Sequence, residues 1–286
     1  MPRKPRLEFP GAIYHINHRG NHQEDIYRDN EDRKLFLKLL STVILRMNWI
    51  CHAYCLMNNH YHLLIEIPEG ILSRGMAWLN GVYTQKFNRK YDISGHLFQG
   101  RFKSKLIEDY PQFLIAARYI VRNPLEAHMV ERAEQWPWSS YTATAGLIRP
   151  PEFLFVDDVL LCLSTDRISA QMFYRELVHM KVKDNDEQII NLFQKMYVQE
   201  RDSVFQNRVR TVLDMRNSLG PIPRSQRILS RPELNELFNG KEEGDLEVRN
   251  RIICDAFKLH AYTQSDIADF LNLSRSAISK IICKNR

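Results

Sequence analysis

Two segments of strand-like composition lie on either side of Asn58-Asn59, and this arrangement constrains the fold more than any other feature. Residues 49–57 read WICHAYCLM and residues 60–67 read HYHLLIEI. Asparagine tolerates left-handed backbone conformations, so Asn58-Asn59 is expected to form a tight turn. Two strands joined by so short a link pair as an antiparallel hairpin. The chain is therefore expected to build its N-terminal part around an antiparallel sheet.

The segments around this hairpin alternate between strand and helix patterns. Residues 12–18 alternate like a strand, and residues 102–107 suit another. Apolar residues recur at helical spacing over residues 31–47 and 72–91. A further helix is expected to begin at Pro111 and to end at Pro124, since proline is tolerated in a first helical turn and disfavours helix before it. The order strand, helix, strand, strand, helix, strand, helix is a split βαββαβ pattern, which predicts an α+β fold.

The rest of the chain divides into two further regions. Pro150-Pro151 marks a boundary after an N-terminal domain of residues 1–150. Residues 151–206 are interpreted as a helical connector whose packing the sequence does not assign. Residues 207–286 are expected to form a helical domain.

Composition excludes several classes of protein. No apolar run approaches the length of about 20 residues that a membrane helix needs. No apolar segment follows the basic N-terminus, so we expect no signal peptide, no membrane partner and a cytoplasmic location. The five cysteines are scattered without a second metal-binding pair, which argues against a zinc finger or a disulfide framework. Cys51 and Cys55 are expected to be reduced core residues.

The distribution of charge favours a polyanionic partner. The net charge is +6, and residues 1–150 contain 20 Lys and Arg against 14 Asp and Glu. Residues 151–286 contain 20 of each sign, so the N-terminal half carries the whole positive excess. Nucleic acid is the commonest partner of such a surface.

His60 and His62 are the first candidates for a functional site. Residues two apart in a strand point to the same face, so the two imidazoles lie side by side. At that spacing two neutral imidazoles can hold one divalent ion, and strand hydrogen bonds keep them rigid. The alternative is a pair of polar residues on a solvated face of the hairpin, which a short H-x-H pattern alone does not exclude.

The helix after Pro111 offers the remaining groups that such a site requires. Tyr119 and Asn123 are four residues apart and share one helix face. A tyrosine hydroxyl can act as a nucleophile, and an asparagine amide oxygen can complete a metal's ligands. The alternative roles are packing for Tyr119 and a C-terminal helix position for Asn123.

Five motifs in order resemble the REP-associated tyrosine transposases, which belong with the insertion-sequence tyrosine transposases in the HUH superfamily of single-strand nucleases. The motifs are HRGN at residues 18–21, NNHYH, GRFKS, YIVRNPL and WPWSSY, and the resemblance covers residues 8–145. It implies a ferredoxin-like core and a Mg²⁺ or Mn²⁺ ion. It also implies cleavage and rejoining of single-stranded DNA near palindromic repeats, through a covalent 5′-phosphotyrosine.

The resemblance assigns roles to individual residues. By motif position, His60, His62 and Asn123 are the implied metal ligands and Tyr119 is the implied nucleophile. The insertion-sequence branch commonly has glutamine where Asn123 stands, and asparagine fits the REP-associated branch. Tyr61 stands in the middle of the histidine motif, at a position that is usually hydrophobic in these families.

Basic residues near these motifs are expected to contact DNA phosphates. Arg101, Lys103 and Lys105 alternate along a strand and so share one face. Arg118 and Arg122 lie on the helix of Tyr119, and a basic N-terminal arm contains Arg3, Lys4 and Arg6. The alternative for each is a solvated surface charge. The predicted contacts are Arg3, Lys4, Arg6, Arg19, Arg101, Lys103, Lys105, Arg118 and Arg122.

Residues 263–282 have the pattern of a helix-turn-helix. Thr263 with Asp266 resembles a capping box, Asn272 stands at the turn, and Ser274 caps a second helix whose inner residues are Ile278 and Ile281. Duplex DNA contacts are expected from Arg275, Ser276, Ser279 and Lys280. The alternative is an ordinary helical hairpin or a surface for protein contact.

Three functions remain open from the sequence. The leading one is a transposase that acts on hairpin-containing single-stranded DNA. The others are a DNA-binding regulator without catalysis and a replication or relaxase-type nuclease. The sequence leaves both a monomer and a homodimer open.

Overall fold

The computed structural model describes residues 8–180, 233–239, 246–258, 262 and 264–284. The chain divides into two compact units, of which one is residues 11–213 and the other joins residues 1–10 to residues 214–286. The predicted DNA contacts Arg3, Lys4 and Arg6 lie outside the described residues.

Four strands form one antiparallel sheet in the unit of residues 11–213. They are β1 (Ala12–Arg19), β2 (Ile50–Leu56), β3 (His60–Ile67) and β4 (Lys103–Ile107). Their spatial order is β2-β3-β1-β4, and every neighbouring pair is antiparallel. The expected α+β fold with a split antiparallel sheet and a β2–β3 hairpin is confirmed.

Helices connect the strands in the predicted order, with bounds that differ from the expected ones by a few residues at most. Between strands lie α1 (Asn30–Arg46) and α2 (Ser73–Tyr91), and β4 is followed by α3 (Tyr110–Glu126). Short 3₁₀ turns cover Asn21–Gln23 and Ala133–Gln135. The chain then forms α4 (Tyr141–Thr144), α5 (Asp157–Leu161) and α6 (Arg167–His179). Among the helices in the described ranges, none combines the length and apolarity needed to cross a bilayer.

The two faces of the sheet carry different helices because side chains alternate along β3. Tyr61 points to the face of α1 and α2, where its ring packs 4.8 Å from Phe36 and its hydroxyl donates to Asn80. His62 points to the opposite face, where its ring lies 5.6 Å from that of Tyr119 on α3. The predicted nucleophile helix therefore packs on the same face as the paired histidines.

The Asn58-Asn59 turn works differently from the prediction. The Met57 amide donates to the His60 carbonyl across it, yet neither asparagine adopts a positive φ. Instead the Asn58 carbonyl accepts from the amides of Ile26 and Tyr27. The two side chains also bond to neighbouring segments: Asn58 Oδ1 accepts from Arg33 at 2.7 Å, and Asn59 Nδ2 donates to the Gln23 carbonyl at 3.0 Å. Asparagine therefore serves here through its side-chain amide rather than through a left-handed backbone.

Helix α3 does not end at Pro124, as the sequence had suggested, but continues to Glu126. A proline inside a helix has no N–H for the carbonyl four residues earlier, here that of Ile120. The Asn123 side chain donates from Nδ2 to the carbonyls of Ile120 and Tyr119, at 3.3 and 2.9 Å. This side-chain donor satisfies the carbonyl that Pro124 leaves without a backbone partner, so the helix persists.

Part of the expected connector packs on the sheet. The Phe155 amide donates to the Cys51 carbonyl at 2.8 Å, and Leu154 forms a β-bridge with the same residue. Cys51 and Cys55 are buried free thiols, as expected, and burial raises the pKa of Cys51 to about 12. Residues 154 and 155 thus extend the edge of the sheet beside β2.

The C-terminal unit contains α7 (Leu234–Phe238), α8 (Leu246–Lys258), α9 (Gln264–Leu271) and α10 (Arg275–Lys284). Asn272 adopts a left-handed φ of 52° between the last two helices, and the Ser274 hydroxyl accepts from the Ala277 amide. Ile278 and Ile282 are buried in the cluster that includes Ala268, whereas Ile281 is only partly buried. Thr263, which the sequence placed in a capping box, lies outside the described residues.

Candidate functional site

The paired imidazoles and the phenol converge on one face of the sheet. The rings of His60 and His62 are 5.0 Å apart, and the ring of Tyr119 lies edge-on to His62 at 86°. Strand β3 fixes the two histidines, and α3 carries the tyrosine one turn before Asn123. The four residues singled out from the sequence are therefore neighbours in space.

Each histidine of the pair is held through its Nδ1 atom. His60 Nδ1 lies 2.7 Å from Asn59 Oδ1, so the ring donates to the amide oxygen. His62 Nδ1 lies 2.9 Å from Nε2 of His15 on β1. Partners of this kind fix the tautomer and orientation of metal-binding histidines. Nε2 of both rings is left as the nitrogen for a ligand.

The Asn123 side chain is oriented by its own helix. Its Nδ2 donates to the two carbonyls of α3 described above, which directs Oδ1 away from the helix backbone. Burial and Arg19 lower the His60 pKa, and the neighbouring Asn123 side chain partly opposes them by raising it. The amide oxygen and the His60 imidazole therefore face the same point.

All three imidazoles at the site are neutral near pH 7. Burial, with a smaller contribution from Arg19, lowers the His60 pKa to about 4. Burial, with Lys105, lowers the His15 pKa to about 4, and burial holds the His62 pKa well below its usual value. A lowered pKa means that the proton is lost as the pH rises through the low value, so the neutral form dominates at neutral pH. Neutral imidazole is the form that binds metal ions.

These side chains line an open cleft of about 340 Å³. Its cations are Arg19 at the end of β1, Arg101 in the loop between α2 and β4, and Lys103 at the start of β4. The loop is held to β1, since the Gln99 amide donates to the Arg19 carbonyl and the Asn21 amide to the Leu97 carbonyl. The cleft thus combines three nitrogen and oxygen donors, a phenol and positive charge.

Other predicted DNA contacts fall elsewhere. Lys105 is exposed on β4, two residues beyond Lys103. Arg118 is fully buried, and its guanidinium donates to the carbonyls of Leu177 and Met180 at the end of α6. The prediction that Arg118 contacts DNA is wrong, because a side chain without solvent access that caps a helix C-terminus cannot reach a phosphate.

Arg122 is also held inside the protein. Its guanidinium donates to the carbonyls of Val178 and Met180 and pairs with Glu126, and only 12% of the side chain is exposed. The pairing of Arg118 and Arg122 with α6 explains their i, i+4 spacing. The expected role of Arg122 in DNA binding is therefore also wrong.

Several residues of the site were not singled out from the sequence. His15 and Asn17 share a face of β1 with Arg19, and the register places Asn17 opposite His62 and Arg19 opposite His60. His18 points to the other face, where its ring stacks 4.3 Å from Phe98 and its Nε2 lies 3.2 Å from the Gly100 carbonyl oxygen. The polar positions in an otherwise apolar strand β1 were the available signal, but only the register shows which of them meet the histidine pair.

Comparison with known proteins shows what this site is similar to. Residues 9–123 match the family model described as IS200-like transposase, and the match contains all four convergent residues. This segment is therefore similar to IS200-like transposases. The resemblance to REP-associated tyrosine transposases drawn from the motifs is confirmed by this match.

Two individual proteins extend the comparison of this segment. A Haemophilus influenzae protein named as a REP-associated tyrosine transposase is 33% identical over 101 residues, which are 31% of this chain and 57% of the relative. The chain thus matches little more than half the length of that relative. A solved structure of a REP-associated tyrosine transposase bound to a REP hairpin aligns with a TM-score of 0.45 and 15% identity, over 54% of this chain and 92% of the other.

Proposed function

We propose that the protein is a metal-dependent transposase that cleaves and rejoins single-stranded DNA through a covalent 5′-phosphotyrosine at Tyr119. One observation carries the proposal: the Tyr119 ring lies 5.6 Å from that of His62, in a cleft that also contains His60 and Asn123. A nucleophile beside a three-donor set is the minimum that this chemistry requires. The DNA target is proposed to be a hairpin formed by a palindromic repeat.

The donor set suits a divalent ion. His60 Nε2, His62 Nε2 and Asn123 Oδ1 would hold Mg²⁺ or Mn²⁺, with water and phosphate oxygens completing the coordination. Imidazole is an unusual ligand for Mg²⁺, so Mn²⁺ is expected to serve at least as well. When bound, the ion supplies positive charge that favours the phenolate and polarises the scissile phosphate. A free phenol titrates near pH 10, at about three units above neutrality, so it needs such assistance.

The covalent step conserves the phosphodiester bond energy. The Tyr119 oxygen attacks phosphorus, the bond to the 3′ oxygen breaks, and that oxygen leaves as a 3′-hydroxyl after taking up a proton. The 5′ phosphate remains esterified to Tyr119. Attack by a 3′-hydroxyl of a second strand reverses the step and joins the two strands without ATP. Because all four groups come from one chain, the proposed site is complete in a monomer and does not require a homodimer.

The cleft also suits the backbone of an unpaired strand. Arg19, Arg101 and Lys103 line it and can neutralise phosphates on either side of the reacting one. Contacts of this kind position a strand without reading its sequence, and they make binding depend on salt.

The test is incubation with a single-stranded oligonucleotide that contains a hairpin, labelled at both ends, in the presence of Mn²⁺. We expect a covalent adduct on a denaturing gel that retains only the label 3′ to the cut. Addition of a strand with a free 3′-hydroxyl should give a joined product. Tight binding with intact DNA would instead support a regulator, and an adduct that never yields a joined product would support a replication or relaxase-type nuclease.

His15 is proposed to position the metal ligand His62. We expect His15→Phe to weaken Mn²⁺ binding about 10- to 100-fold, because the hydrogen bond that orients His62 is lost while the ring volume is retained. Isothermal titration calorimetry measures the affinity, and His22→Phe, at an exposed histidine, is the matched control. Unchanged Mn²⁺ affinity in the His15 variant would exclude the positioning role.

The C-terminal unit is proposed to bind duplex DNA as a helix-turn-helix. Arg275, Ser276 and Lys280 are exposed on α10, and Ser279 is half-buried, which suits contacts from one helix to a major groove. Joint replacement of Arg275 and Lys280 by alanine is expected to reduce duplex affinity at least tenfold in a fluorescence anisotropy titration, with cleavage of single-stranded hairpins retained. Equal duplex affinity in the variant and the parent would argue for an ordinary helical hairpin.

A further inference from the structure

A second cluster of metal-binding side chains lies outside the cleft. Strand β2 has an irregular register between Cys51 and Ala53, which places His52 in a β-bulge. A bulge re-aims the side chain of its extra residue, and such bulges are frequent beside functional sites. His52 meets Glu66 on β3 and Asp158 on α5, and one ligand atom of each residue lies within 4.8 Å of the other two.

The two carboxylates approach different nitrogens of the His52 ring. His52 Nδ1 lies 3.7 Å from Asp158 Oδ2, and His52 Nε2 lies 3.4 Å from Glu66 Oε2. Two ligand bonds of about 2.1 Å at a tetrahedral angle separate the ligand atoms by about 3.4 Å. An ion would take one ring nitrogen and one oxygen from each carboxylate. Three such atoms already lie within 4.8 Å of one another, so side-chain movements alone would bring them onto a common ion.

The burial of His52 points to a missing ligand. The residue is only 1% exposed, and its Nδ1 atom has no hydrogen-bond partner. The rings of Phe113 and Phe155 stand edge-on to the imidazole at 4.9 and 6.4 Å, so apolar rings flank it. A buried polar atom without a partner destabilises the fold, and a metal bond would remove that penalty. The carboxylates are 25% and 32% exposed, and they leave a path for the ion and a position for water.

The cluster is separate from the cleft. Glu66 lies four residues beyond His62 on β3, or about 13 Å along an extended strand. The fully buried Leu64 stands between them on the same face. One ion cannot bridge the two sites, so each site would bind its own ion independently of the other.

We propose that His52, Glu66 and Asp158 form a structural site for a divalent transition metal, with Zn²⁺ as the expected ion. One imidazole and two carboxylates are ordinary zinc ligands, and the two negative charges match the charge of the ion. The ion would tie α5 to the sheet, next to the point where Phe155 and Leu154 extend the edge of β2. Its role is to hold the segment after Pro151 in place, independently of cleavage.

The experiment uses full-length protein in which His60→Ala and His62→Ala remove the donors of the cleft. After dialysis against a chelator, this double variant is titrated with Zn²⁺ by calorimetry, and its melting temperature is measured with and without Zn²⁺. We expect one Zn²⁺ per chain and a rise in melting temperature. Adding Asp158→Asn, or separately Glu66→Gln, should weaken binding at least tenfold and remove the rise, while Asp157→Asn, at the neighbouring exposed carboxylate, should change neither.

Two outcomes would overturn the proposal. One is the lack of stoichiometric Zn²⁺ binding in the double variant. The other is Zn²⁺ affinity that stays the same in both the Asp158 and the Glu66 variants, which would place the ion elsewhere. Circular dichroism of each metal-free variant checks folding, and the partly exposed Glu66 gives a second test where Asp158→Asn fails to fold.

Discussion

Tyr119→Phe is expected to abolish the covalent protein–DNA adduct while leaving DNA binding within about twofold of the parent. The substitution removes only the hydroxyl, and the ring that packs edge-on to His62 and His15 remains. Because the hydroxyl oxygen is the proposed nucleophile, no other atom of the side chain can replace it. Cleavage should fall to the background of the assay.

The measurement is a denaturing gel of labelled hairpin DNA incubated with Mn²⁺, read alongside an anisotropy titration of the same DNA. Tyr110→Phe is the matched control, since Tyr110 begins the same helix and packs on Phe113 away from the cleft residues. The control should form adduct at the parental rate. Persistence of the adduct in Tyr119→Phe would show that another residue attacks the phosphate, and the proposed mechanism would fail.

His62→Ala is expected to reduce metal-dependent cleavage by roughly 10³-fold. The substitution removes one proposed ligand directly and leaves His15 without the partner 2.9 Å away. Metal ions contribute several kcal/mol to the stabilisation of charge in a transition state, and each 1.36 kcal/mol is about tenfold in rate. Raising the Mn²⁺ concentration should restore part of the activity, because His60 and Asn123 remain.

Single-turnover cleavage rates across a Mn²⁺ titration measure this effect. His22→Ala is the control, since His22 is exposed and lies outside the cleft. His62 is buried, so thermal melting must show that the variant is folded before its rate is interpreted. Cleavage by the parent in the presence of a chelator, at the same rate as with Mn²⁺, would show that the histidine pair does not act through a metal.

The sequence was sufficient for the elements and for the principal candidates. Period-two and period-3.6 patterns depend on local geometry, so β1, the β2–β3 hairpin and α1 were predicted within about two residues of their ends. The pairing of His60 with His62 follows from strand geometry alone, and that of Tyr119 with Asn123 from helix geometry alone. The end of α3 was missed because the Asn123 side chain replaces the donor that Pro124 lacks.

Only the tertiary structure decided which elements meet. The register of β1 against β3 brings His15 to His62, and the packing of α6 on α3 buries Arg118, which the sequence had placed on the DNA surface. The bulge at His52 likewise joins residues that are 14 and 106 positions apart from it. Local periodicity specifies the face on which a side chain lies, because it repeats every few residues. It does not specify what covers that face, since long-range packing depends on the whole chain at once.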